Sequence, residues 1–278
     1  MKKAKTLQNS NDTTAIPRAQ VIKLGLDVHA DSVVVVRIED GQAPQPAQRF
    51  APEKSLAWAQ KQLALAGKVY ACYEAGPLGY SLQRTLSASG IVCYVVRPRD
   101  WDEYGARVKT DGRDAHELAL CLDRYVSGNT KAFSVVRVPT PEEEQRRSRA
   151  RLRQALQNHK QRLAAQGRGY ALYYGHRLTA STWWKGQAWA QLEQRLPAHL
   201  VELLESLRAL LLSTELELNG FTRQIEQSVD TPVPRGVGKL TAQMLEREVA
   251  DWSRFKNRRQ VGSYTGLCPS EDSSGVPF

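Results

Sequence analysis

The first patterned stretch is Val21-Ile22-Lys23-Leu24-Gly25-Leu26-Asp27, an apolar run closed by an acid, which predicts a strand. Ser32 to Ile38 carries four consecutive valines and predicts a second strand, with Glu39-Asp40-Gly41 as the turn after it. A short third strand is expected near Gln48 to Ala51. Glu53 to Ala66 places Leu56, Ala59, Leu63 and Ala66 at helical spacing and stops before Gly67. Val69 to Tyr73 is the next apolar run, and Leu78 to Ala88 reads as helix. Ile91 to Val96 reads as a strand stopped by Pro98, and Asp111 to Val126 is helical again. The order strand, strand, short strand, helix, strand, helix, strand, helix predicts an α/β domain over residues 21–130. Its mixed sheet would hold a meander of three strands followed by parallel crossovers. Residues 1–20 are polar and predict a flexible tail.

The pattern then changes. Leu200, Leu204, Leu207, Leu211, Thr214, Leu218, Phe221 and Ile225 recur at alternating spacings of four and three. That is the seam of a coiled coil with one polar position, and its partner is either another helix of the chain or a second copy. Residues 141–230 therefore form a helical, coiled-coil-containing middle. Residues 231–278 form a small helical C-terminal domain. There Pro234 to Ala242 resembles the hairpin of a helix-hairpin-helix motif, in which Gly236 and Gly238 bring backbone amides near a phosphate and Lys239 adds charge. A plain loop at a helix start explains the same residues.

Charge adds to this picture. Lys plus Arg is 39 and Asp plus Glu is 29, a formal net charge of +10. Such a balance favours an acidic partner, nucleic acid before others. The cations concentrate in the middle: Arg146, Arg147, Arg149, Arg151, Arg153, Lys160, Arg162, Arg168, Arg177 and Lys185 follow one another, and no acid lies between Glu144 and Glu193. A solvated helix face usually mixes both signs, so this stretch reads as a platform for phosphates. Tyr170, Tyr173, Tyr174, Trp183, Trp184 and Trp189 are interleaved just beyond; they either stack on bases or belong to a core. No apolar run reaches the length of a membrane span, and the basic N-terminus lacks the apolar core of a signal peptide, so a cytoplasmic, nucleoid-associated protein is expected. The four cysteines form no C-x-x-C pair, and Cys72 and Cys93 sit in apolar runs as small hydrophobes.

Carboxylates mark the candidate chemistry. Asp27 closes the first strand, and Glu74 closes the strand from Val69. Asp111 and Asp114, three apart, share one face of the helix they open. Ligands of α/β sheets collect at the carboxyl ends of strands, so the four acids are placed to converge. Oxygen ligands of that kind suit Mg²⁺ or Mn²⁺, and such ions support phosphodiester chemistry. The plainer alternative makes Asp111 a helix cap and Asp27 a turn residue.

Three stretches, Gly25-Leu26-Asp27-Val28-His29, Tyr73-Glu74-Ala75-Gly76 and Lys109 to Ala115, together with the strand order, resemble the RNase H-like, RuvC-like domain of DEDD transposases. The specific group is the insertion-sequence family "IS one-ten", including its eleven-eleven subgroup. Pro234 to Ala242, Phe255, and Tyr264 to Gly275 resemble the second characteristic block of that family. The resemblance implies that Asp27, Glu74, Asp111 and Asp114 are the metal-binding acidic tetrad. It implies that Ser273 or Ser274 is the nucleophile that links transiently to DNA. It further implies DNA partners (element ends and target), a structured non-coding RNA, a dimer or tetramer, and no membrane. The rivals are a RuvC-like metal-dependent nuclease on branched DNA and an inactive, nucleic-acid-binding remnant. The family pattern continues past Ser-Ser-Gly with a basic stretch and further helices, so a shortened C-terminal domain is expected in this chain.

Overall fold

The structure is a computed structural model that describes residues 18–98, 110–228, 233 and 235–266. Two compact units divide at Val138 and Pro139.

The first unit is built on a five-stranded sheet. β1 (Ala19–Val28) and β2 (Val33–Glu39) pair antiparallel, and β3 (Gln48–Phe50) continues the meander. After α1 (Pro52–Leu65) the chain returns as β4 (Ala66–Glu74), parallel to β1. After α2 (Ser81–Ala88) it adds β5 (Val92–Val96), parallel to β4, and α3 (Asp111–Val126) follows. The order across the sheet is β3-β2-β1-β4-β5, the mixed sheet that the sequence pattern predicts. β1 begins at Ala19 and so takes in the last two residues of the stretch expected as tail; residues 1–17 of that stretch lie outside the described residues.

Both faces of the sheet are covered, which is why β1 and β2 read as nearly continuous apolar runs. Ile22, Leu24, Leu26, Val33, Val35, Val69, Ala71 and Tyr73 pack toward α1 and α2 with Ala59 and Leu86. Val34, Val36, Ile38, Cys72 and Val96 pack toward Ala115, Leu118, Ala119, Cys121 and Leu122 of α3. Strand alternation therefore points Lys23, Gly25 and Asp27 at α3. Each of the three has a separate consequence. Lys23 is 5% exposed and its Nζ lies 2.5 Å from Asp123 Oδ1, so its buried charge is paired. At Gly25 an added Cβ would lie 2.3 Å from both Ala115 O and Ala119 N. Only a residue without a side chain lets α3 lie this close to β1. Asp27 then arrives beside the first turn of that helix. Cys72 and Cys93 are buried, and burial pushes the Cys93 thiol up to about 12, so these thiols behave as the small hydrophobes expected.

The second unit is helical: α4 (Pro141–Tyr173), α5 (Gly186–Arg195), α6 (Ala198–Gln227), α7 (Lys239–Val249) and α8 (Arg258–Tyr264). Thr140 and Glu143 close a capping box at the start of α4, with Pro141 at its first position. Six positions of the predicted seam, Leu200, Leu204, Leu207, Leu211, Leu218 and Ile225, form the buried stripe of α6, and the other two, Thr214 and Phe221, are half-buried. The seam's partner is α4 of the same unit. The pair runs antiparallel, since Arg153 meets Thr222 and Lys160 meets Glu215. Trp183, Trp184 and Trp189 are at most 5% exposed and fill the space between α4, α5 and α6. The Trp183 ring lies on Gly167, where an added Cβ would come within 2.2 Å of it, and Trp183 Nε1 donates to Ala164 O at 3.1 Å. These tryptophans are core residues; the alternative of base stacking fails for them because their faces are covered. Tyr170, Tyr173 and Tyr174 remain exposed at the end of α4. Among the described residues no helix is long and apolar enough to cross a membrane.

Candidate functional site

The register of β1 and β4 sets the site. Leu26 lies opposite Tyr73, so Asp27 and Glu74 each follow at the carboxyl ends of neighbouring parallel strands, still paired on their outer sides with Val34 and Val96. Both belong to the α3 face, because Gly25 and Cys72 do. α3 runs antiparallel to β1 (Lys23 meets Asp123, Gly25 meets Ala115 and Ala119), which brings its N-terminal residue Asp111 to the end of β1. Thr110 is the N-cap of α3 and its side chain makes no capping bond, so Asp111 is the first helical residue rather than the cap. Asp114 lies in the same first turn. Acids there face the positive end of the helix dipole.

His29 and Arg49 join this group. His29 Nε2 lies 3.0 Å from Asp27 Oδ2 and 3.7 Å from Asp111 Oδ1. Arg49 pairs with Val34 across the sheet, and Val34 with Asp27, so these residues form one row across β3, β2 and β1. From there the Arg49 guanidinium donates to Asp111 Oδ2 and, at 2.8 Å, to Ser32 Oγ. The hydrogen bond from Arg49 holds the Asp111 carboxyl below the ordinary carboxylate range, with the charges of Arg49 and His29 adding to it and desolvation opposing. The folded-state pKa is depressed. The resulting contribution to stability is therefore present above the ordinary carboxylate pKa and is lost as the pH falls through the native value. Replacing Arg49 by Gln is expected to return Asp111 toward the ordinary range, read as an upward shift of its carboxyl titration by NMR. An unmoved midpoint would show that Arg49 does not set it.

Asp27, His29 and Asp111 offer ligand atoms that all lie within 4.8 Å of one another. The 3.0 Å between Asp27 and His29 is a hydrogen-bond distance. It is also about the separation of two adjacent ligands on an octahedral ion with bonds of ~2.1 Å. Two carboxylates and one imidazole therefore meet here, a donor set that Mg²⁺ or Mn²⁺ can take, while Glu74 and Asp114, the other two acids expected at the site, lie outside this group of three. The residues fit such an ion.

In the second unit the arginine-rich helix divides by partner. Arg147 Nη2 donates to Glu248 O at 3.2 Å, Arg151 lies 2.7 Å from Glu248 Oε1, and Arg153 Nε donates to Thr222 Oγ1 at 3.1 Å. Lys160 and Lys185 flank Glu215, at 3.6 and 2.7 Å. Burial raises the Glu215 pKa most, but the Lys185 hydrogen bond and the two ammonium charges outweigh it, so the net shift is downward. The acids missing from the stretch after Glu144 are thus supplied in part by Glu215 of α6 and Glu248 of α7. Arg146, Arg149, Arg162 and Lys239 are exposed. Gly236, at φ +88°, and Gly238, the N-cap of α7, are exposed in the turn before that helix. Ser273 and Ser274 lie outside the described residues, as does Lys109 of the quoted motif.

The first unit is therefore a layered α/β domain with a carboxylate-rich centre where β1 and β4 end. A family model described as "Transposase IS116/IS110/IS902 family" matches residues 234–276. A protein of Sinorhizobium fredii named as transposase y4qE is 32% identical over 216 residues, covering 74% of this chain and 52% of that protein. A second from the same organism, named as transposase y4rJ, is 30% identical over 230 residues, covering 73% and 57%. The transposase for insertion sequence element IS1533 of Leptospira borgpetersenii is 26% identical over 271 residues, covering 89% and 75%. The C-terminal part of the chain thus matches the IS116/IS110/IS902 family of insertion-sequence transposases, and most of its length is similar to proteins named as transposases. The chain spans about half the length of the two Sinorhizobium relatives.

Proposed function

We propose that this chain is a DNA transposase that cuts and rejoins strands through a divalent cation held by Asp27, Glu74, Asp111 and Asp114. The observation that carries the reading is the meeting of Asp27 and Asp111 at the end of β1 in a chain whose C-terminal part matches a transposase family. The meander of three strands followed by two parallel crossovers supports an RNase H-like, RuvC-like domain. Mg²⁺ or Mn²⁺ bound there supplies positive charge for the phosphodiester oxygens and lowers the pKa of an attacking oxygen. The chain's own residues do the rest. Asp27 and Glu74 are held by a rigid sheet, and Asp111 by a helix locked on Gly25. Arg49 neutralises Asp111 and is exposed enough to meet a phosphate. Ser273 or Ser274 would supply a hydroxyl: its Oγ–P bond forms as the strand's P–O bond breaks, the hydroxyl proton passes to a base, and the freed strand end leaves as a hydroxyl after taking up a proton. Arg146, Arg149, Arg162 and Lys239 give the phosphate contacts of DNA and of a structured RNA, while Arg147, Arg151, Arg153 and Lys160 order the helices that present them. A dimer or tetramer would cut several strands together.

The test is a covalent-adduct assay with element-end DNA, its cognate RNA and Mg²⁺, read on a denaturing gel. Wild type is expected to give protein-linked DNA, and one of Ser273→Ala or Ser274→Ala to lose it. Nicked DNA without any adduct would overturn the serine step and favour the nuclease reading.

A further inference from the structure

A cavity of about 340 Å³ opens between the end of β1, the start of β2 and the first turns of α1 and α2. Its walls are apolar: Val28, Val33, Leu56, Tyr73, Leu78 and Leu82. It lies on the α1/α2 side of the sheet, opposite the face that carries Asp27. One residue belongs to both places. His29 lines the cavity, and its Nε2 is 3.0 Å from Asp27.

We propose that this cavity takes one unstacked nucleobase of the strand whose phosphate lies at the acidic centre; the inference rests on the transposase reading above. Size supports it. The volume stands at the low end of the ~300–1,000 Å³ of small-molecule sites, enough for a single planar base and too small for a duplex. Chemistry supports it too. A base extruded from a stack is held between apolar side chains and read at its polar edge. Ser55, Ser81 and Thr85 bring hydroxyls into the lining, and Ser55 Oγ and Thr85 Oγ1, which donate to Pro52 O and Ser81 O, keep lone pairs for a base amino group. Glu53 at the rim disfavours a second phosphate, so the backbone stays on the Arg49 side while the base turns in. The Tyr73 hydroxyl donates to Gly79 O at 3.3 Å, which leaves its ring as an apolar wall of the cavity. A strand passing over the end of β1 thereby presents its phosphate to Asp27 and Asp111 and the adjoining base to the cavity. The substrate at this site must be unpaired at that nucleotide.

The test uses the full chain and a short single-stranded oligothymidylate carrying one photoreactive thiothymidine, with the matching duplex as comparison. Ultraviolet crosslinks mapped by mass spectrometry are expected in the peptide from Leu78 to Thr85. Leu82→Trp and Thr85→Trp, which fill the cavity, should each weaken single-strand binding about tenfold, the scale of one stacked base, with duplex binding unchanged. Thr85 is exposed, so its replacement keeps the fold even where Leu82→Trp fails the melting control. Crosslinks confined to the arginine-rich helix, or unchanged single-strand affinity in Thr85→Trp, would overturn the proposal. Cleavage by Asp27→Asn, measured alongside, separates the two ideas. If cleavage is lost and Thr85→Trp binds as wild type, the transposase reading stands and the cavity assignment falls.

Discussion

Gly25→Val is expected to unseat α3 and dismantle the acidic centre together. The added Cβ would start 2.3 Å from backbone atoms of Ala115 and Ala119, and backbone cannot swing aside as a flexible side chain does. α3 would have to lift off the sheet. Overpacking of this kind costs about 1–3 kcal/mol. Lifting α3 also draws Asp123 away from the buried Lys23 ammonium, and breaking a buried pair costs a further ~3–5 kcal/mol where the charge is left behind. For a domain of this size the sum predicts a melting point lower by roughly 10 °C or more. Asp111 rides on the same helix, so its distance to Asp27 grows as the helix retreats. Circular dichroism melting checks the first effect. Gly169→Ala is the control: it is a helical glycine whose added Cβ meets nothing within 4 Å, so it should melt at or slightly above wild type. Equal melting of Gly25→Val and wild type would refute the close approach of α3.

Asp27→Asn is expected to reduce strand cleavage by about 10²–10³-fold or more while leaving the fold and nucleic-acid binding intact. The amide keeps the shape of the carboxylate and removes its charge. Loss of one preorganised charge-stabilising group typically has that kinetic scale. Stability should change little, because asparagine keeps the size of the side chain and an oxygen for the hydrogen bond to His29, and loss of the charge relieves repulsion from Asp111. Gel-shift affinity for element-end DNA should stay within about twofold, since phosphate binding is assigned to arginines of another unit. Cleavage persisting at the wild-type rate would remove Asp27 from the chemistry.

Much of this architecture is legible in the chain. Asp27 and Glu74 stand at the ends of apolar runs, and the structure puts both at strand ends. Asp111 to Val126 is predicted and observed as α3 with the same bounds. The capping box at Thr140 and Glu143 is also written in the sequence, as Thr-Pro-Glu-Glu before a polar helix, though reading it requires looking past the missing apolar pattern of α4. Other features depend on register and packing, which a one-dimensional pattern does not carry. Arg49 reaches Asp111 only because β3, three residues long, sets Arg49 opposite Val34. His29 gains its place from the turn that follows β1. Gly25 looks like a weak residue in a strand until α3 is laid across it. The partners of Arg147, Arg151 and Arg153 lie about 70 to 100 residues away, so an acid-free stretch looks more isolated than it is. The seam of α6 shows that it packs, and only the fold shows that α4 is its partner.

Everything proposed for the first unit depends on the acids at the end of β1 holding a cation. Calorimetric titration of Mn²⁺ into the full chain, beside Asp27→Asn and Glu74→Gln at matched pH and salt, tests this most directly. Binding to wild type is expected to be saturable and to weaken at least about tenfold in each variant, with all three proteins melting alike in the absence of metal. Binding of equal strength in wild type and both variants would contradict it.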